Sequence, residues 1–130
     1  MELATMMPLA QHLGIKISEA NPDKVVGQLL VRPELCTIGQ IAHGGTIMAL
    51  ADCVSAIGAY LALPSGANMT TTIESKSNFL GSAPQASHLV AVATPVKIGK
   101  RLSVWQCQIR TDDGSDVALV TQTQLVLWPA

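Results

Sequence analysis

The stretch IAHGGTIMALADCVSAIGAYLALP, Ile41 to Pro64, is almost wholly apolar and carries one charge, Asp52. His43-Gly44-Gly45 stands near its start, and Cys53 adjoins the acid. A carboxylate in an apolar cleft takes up a proton more readily than one in water. That is a usual device for placing a base where a reaction needs it. The competing reading is a structural acid whose oxygens are satisfied by a neighbouring strand. Cys53 could serve as a thiol nucleophile. Adjacent helical residues point about 100° apart, however, and free cysteine is commonly a buried, inert residue. No GxSxG occurs, and 130 residues are few for an α/β-hydrolase.

What must position these residues is a helix, and the first question is what surrounds it. About 20 apolar residues suffice to span a bilayer. Yet Asp at the centre of a span costs about 2.5–3.5 kcal/mol, and no Lys or Arg closely flanks either end. A helix that is apolar all round because protein encloses it is the better expectation, so no membrane partner is expected. At 130 residues the chain is expected to be one domain, residues 1–130. Apolar residues make up 48% and charged residues 13%. So few charges leave apolar surface to cover, which predicts subunit contacts. The net charge of −1 argues against a nucleic-acid partner. The opening MELATMMPLA lacks the order of a signal peptide. Cys36, Cys53 and Cys107 are an odd number without CxxC spacing, so neither a disulfide framework nor a metal site is expected. A reducing, cytoplasmic setting is expected instead.

Leu9 to Ile15 reads as a short helix or turn leading into a strand, and Lys24 to Val31 as a strand. After the long helix, Met69 to Leu80 alternates with period two. The alternation puts Thr71, Ile73, Ser75, Ser77 and Phe79 on one face, and Thr72, Glu74, Lys76 and Asn78 on the other. Ser87 to Ile98, Arg101 to Arg110 and Asp116 to Trp128 follow as strands, the last after the hairpin signal Asp113-Gly114. Four consecutive strands with short turns predict an antiparallel meander. The class is α+β: one long central helix wrapped by a curved antiparallel sheet of about six strands.

This order, with HGG opening the helix and LAD two turns later, resembles the hot-dog-fold acyl-CoA thioesterases, and most of all their PaaI-like, phenylacetate-pathway branch. HGGTIMALAD (His43 to Asp52), NFLGSA (Asn78 to Ala83) and the last hairpin carry the resemblance. It implies an acyl-CoA substrate, with coenzyme A part of the substrate and no further cofactor. It implies Gly44 N–H as the oxyanion donor and Asp52 as general base or nucleophile. A helix N-terminus suits the donor, since its N–H groups lack intrahelical partners and the macrodipole is positive there. His43 is implied to order the helix start or to act as a base, with Gly45 beside it binding the substrate. Fifteen residues before the carboxylate, many relatives hold the thioester oxygen with Asn or Gln; here that position is Thr37, with Gln40 nearby. One turn past the carboxylate some relatives place Ser or Thr, and here Ala56 stands with Ser55 beside it. Where some relatives orient water with a strand Ser, the match is Gly81, followed by Ser82. Lys97, Lys100 and Arg101 cluster at a turn, either as a solvated hairpin or to meet the phosphates of coenzyme A. Family habit implies a homodimer with shared sites, doubled to a homotetramer. The alternatives are a non-catalytic acyl-CoA-binding or sensing protein on the same fold and, more distantly, a hot-dog dehydratase, whose HFPG-type opening is missing.

Overall fold

The computed structural model describes residues 3–130. A 3-10 turn over Leu3–Met6 leads into α1 (Pro8–Leu13), which Pro8 starts and Gly14 ends. Gly14 sits at φ 86°, a left-handed cap that glycine adopts without strain. The hairpin of β1 (Lys16–Asn21) and β2 (Lys24–Leu30) follows. A small ribbon of β3 (Cys36–Thr37) and β4 (Ile41–Ala42) then feeds α2 (Gly44–Leu61). Four long strands complete the chain: β5 (Met69–Phe79), β6 (His88–Ile98), β7 (Leu102–Thr111) and β8 (Asp116–Leu127).

The six long strands form one antiparallel sheet in the order β1-β2-β6-β7-β8-β5. This corrects the expected four-strand meander. Of those four, only β6, β7 and β8 are successive neighbours, while β5 crosses to the far edge and pairs with β8. Register shifts in β1, β5, β6 and near the β7–β8 turn add local twist. The sheet curls around α2, ten of whose eighteen residues are buried. This is the hot-dog architecture.

The shift in β5 matters most for function. Thr72 pairs with Gln124, but Glu74 pairs with Thr123, so Ile73 is the extra residue. Residues directly opposite across an antiparallel pair share a face. Val126, Gln124, Gln122, Val120 and Ala118 form the buried row of β8. Their β5 partners are Thr70, Thr72, Ser75, Ser77 and Phe79. The face toward α2 therefore changes phase at Ile73. Simple alternation had put Thr72 on the opposite face from Ser75, Ser77 and Phe79; the bulge brings all four to one side.

The helix lies tightly on the sheet at two glycines. A Cβ on Gly58 would stand 2.6 Å from the buried Trp105 indole, and one on Gly27 would stand 2.5 Å from Val54. Neither neighbour can swing into solvent, since Trp105 and Val54 are both fully buried. Gly58→Ala is accordingly expected to destabilise the chain by about 1–3 kcal/mol through overpacking. Urea unfolding measures this, and an unchanged midpoint would show that helix and indole separate freely.

Candidate active site

The helix start is held from three sides. His43 N donates to Leu35 O at 2.9 Å, and Ala42 N donates to Ala83 O at 2.8 Å. Thr46 Oγ1 donates to Leu35 O at 2.9 Å. His43 is the N-cap, and its Nδ1 accepts from Gly45 N at 2.8 Å. A Cβ on Gly45 would lie 3.0 Å from that Nδ1, so glycine there permits the cap. Thr46 and Ile47 N–H groups both reach His43 O. Of the first four amides of α2, only Gly44 N–H has no acceptor among the described residues. An unpaired N–H at the positive end of a helix is a ready donor to an anionic oxygen. The Phe79 ring flanks it, its Cζ 3.4 Å from where a Gly44 Cβ would be.

Asp52 lies two turns along. It is exposed in the single chain and not enclosed in an apolar cleft, as the sequence suggested. It belongs to the row Met48, Asp52, Ala56 and Tyr60, at the four-residue spacing of one helix face, in which only Ala56 is half-buried and the others are exposed. Its Oδ1 accepts from Gln122 Nε2 at 2.9 Å and from Thr72 Oγ1 at 3.3 Å. The strand hydroxyl that meets the carboxylate is thus Thr72. Gly81 and Ser82 lie instead in the connection after β5 that pins the helix start. There a Cβ on Gly81 would be 2.5 Å from Asp116 O, so close packing explains this glycine.

The sequence reading missed Thr72 and Gln122. Thr72 was hidden by the bulge. Gln122 had a legible signal: in DVALVTQTQLVLW, two glutamines occupy the same period-two row as Val120 and Val126.

Thr37 is exposed opposite Ile41 on the small ribbon, beside the helix start, and Gln40 next to it has φ 59°. Lys100 and Arg101 are exposed on the β6–β7 turn. Trp128 Nε1 donates to Lys100 O at 2.9 Å, and the same indole lies over Gly66, past the end of α2. That turn is at the opposite end of α2 from Gly44, and the helix is about 26 Å long at 1.5 Å per residue. One chain therefore does not gather all the expected site residues.

Cys53 is buried, and its thiol is pushed up to about 11, first by burial and then by the Asp52 charge. Burial likewise pushes Cys107 up to about 12. Both stay protonated near neutral pH, which removes Cys53 as a nucleophile. Among the described residues, no three His, Cys, Asp or Glu side chains gather as metal ligands would.

Comparison with known proteins agrees with this fold. The profile of the Thioesterase superfamily matches residues 39–118. The 1,4-dihydroxy-2-naphthoyl-CoA hydrolase of Listeria monocytogenes is 28% identical over 93% of this chain and 96% of its own. Thioesterase HI1161 of Haemophilus influenzae superposes with a TM-score of 0.84 at 27% identity, covering 92% of this chain and 82% of that one. The PaaI protein of E. coli, from the phenylacetic acid degradation operon, shares the fold with a TM-score of 0.84 at 22% identity, over 92% and 84% of the two chains. A helix start with one free amide, a carboxylate two turns on and a matching superfamily profile lead to one conclusion: this chain belongs to the thioesterase superfamily and is a hot-dog thioester hydrolase of the acyl-CoA thioesterase type.

Proposed function

We propose that the protein hydrolyses acyl-CoA esters of apolar acyl groups, with Asp52 as general base or nucleophile and Gly44 N–H as oxyanion donor. The free Gly44 amide carries this reading. The fold leaves it unpaired while its two successors are bonded to His43. Thioester hydrolysis needs such a donor where negative charge develops, and a base beside the attacking water. Asp52 supplies the base: its Oδ2 accepts no hydrogen bond among the described residues. His43 acts through Gly45 as a cap, Thr37 flanks the thioester, and Lys100 and Arg101 meet the phosphates of coenzyme A. No cofactor beyond the coenzyme A of the substrate is part of this proposal.

The working unit is a dimer of antiparallel helices, doubled to a tetramer. In the row Met48, Asp52, Ala56 and Tyr60 all but the half-buried Ala56 are exposed, and β5 beside it exposes Ile73 and Phe79 along an unpaired sheet edge. A long bare edge strand is a template for pairing with a second chain. The free thiols suit the cytoplasm.

An acyl-CoA panel read with a thiol reagent tests the activity. Helix α2 carries no cation, and its one charge is an acid. Benzoyl-, phenylacetyl- and hexanoyl-CoA should therefore exceed malonyl- and succinyl-CoA in kcat/KM by at least about tenfold, the discrimination of roughly 1.4 kcal/mol. Tight binding of the whole panel without release of free thiol would overturn hydrolysis in favour of an acyl-CoA sensor.

A further inference from the structure

The buried row of β8 is apolar except at Gln122 and Gln124, which are 0% and 1% exposed. A buried amide is unfavourable unless its hydrogen bonds are made. Gln124 makes them within the sheet: its Nε2 donates to Thr72 Oγ1 at 2.7 Å, and its Oε1 accepts from Thr70 Oγ1 at 3.0 Å. Gln122 does not. Its Nε2 donates to Asp52 Oδ1 at 2.9 Å and to Thr72 Oγ1 at 3.2 Å, but its Oε1 is buried with no partner. A carboxylate only accepts, so the amide end facing Asp52 is the donor end. The core thus tolerates a half-satisfied amide at the one β8 position whose amide reaches the helix carboxylate, which Thr72 Oγ1 on β5 also meets.

We propose that Gln122 is a positioning residue for Asp52: it holds the carboxylate by Oδ1 and leaves Oδ2 directed at the thioester. The inference rests on the reading of Asp52 as the reacting carboxylate. The torsion that turns an Asp carboxyl plane is broad and weakly preferred, so the residue cannot orient itself. Gln122 sits on β8, paired on both sides by β7 and β5, so its amide is a fixed point. Misplacing a reacting group by about 1 Å can cost up to about 10²-fold in rate.

Gln122→Met keeps length and approximate volume, removes the donor and removes the orphaned oxygen. It should melt at or above the wild-type temperature, because an apolar side chain replaces an unmet amide. Its kcat should fall about tenfold with KM within about twofold, the signature of an interaction that matters only in the transition state. A merely structural glutamine would do the reverse, with a lower melting temperature and an unchanged kcat per folded enzyme. A crystal structure of the variant gives a readout independent of rate, in which Asp52 should leave its single orientation. Wild-type kcat with Asp52 unmoved overturns the inference, even where Asp52→Asn proves inactive. If Asp52→Asn keeps turnover, the base reading falls, and the Asp52 orientation in Gln122→Met still decides whether Gln122 holds it. Should Gln122→Met fail to fold, Gln122→Leu, smaller and likewise without a donor, must show the same split between kcat and KM, and normal turnover in it overturns the proposal.

Discussion

Asp52→Asn is expected to lower kcat for the best acyl-CoA by at least about 10²-fold, the loss typical of a missing general base. KM should change little. The substitution is nearly isosteric, and an Asn oxygen can still accept from Gln122 Nε2, which lies 2.9 Å from Oδ1. The fold therefore has no reason to respond. The position is exposed within one chain, so no buried packing is lost. What changes is the proton acceptor at Oδ2: an amide cannot take a proton from water or attack a thioester at neutral pH. Near-normal turnover in a correctly folded variant would return Asp52 to the structural reading, an acid present to satisfy Gln122 and Thr72.

The second large effect is rescue between two inactive chains. Gly44 and Asp52 are eight residues apart, about 12 Å along the helix and about 80° off one face. A base, an attacked carbonyl and an oxyanion donor must fit within about 7 Å. That separation disfavours a site built from one helix, whereas the proposed dimer sets the start of one antiparallel helix beside the middle of the other. Gly44→Pro is a clean lesion here. Gly44 is the first residue of α2, where proline is well tolerated. His43 before it already has φ −64° and ψ 139°, the extended conformation that a following proline requires. The change removes the free N–H and sets ring atoms beside Phe79, whose Cζ would lie 3.4 Å from the added Cβ. Asp52→Ala subunits refolded with Gly44→Pro subunits in equal amounts should recover about a quarter of wild-type activity. Half the dimers are mixed, and each mixed dimer has one intact site. Mixed dimers confirmed by mass but inactive would show that the site lies within one chain or that Gly44→Pro disrupts more than the donor, and a milder Gly44→Ala partner tells these apart.

The sequence by itself determined the helix and the groups it presents. HGG before an apolar run with one acid predicts a capped start and a lone carboxylate two turns on, and both are found because those signals are local. It also determined where the long strands lie, to within a residue or two, because alternation and turn residues act over a few positions. Only the tertiary structure decided which side chains meet the carboxylate. The bulge at Ile73 exists because β5 pairs with β8, a partner about fifty residues away, and no pattern within β5 announces it. That one extra residue turns Thr72 toward Asp52 while Phe79, seven residues on, still faces Gly44. The contact between Asp52 and Gln122 spans seventy residues. Local periodicity marks Gln122 as inward-facing, but inward from β8 could mean any part of α2. The register across β7, β8 and β5 sets it against Asp52, because register is a property of strand pairing and of the helix seated at Gly58 and Gly27, and no single segment carries it.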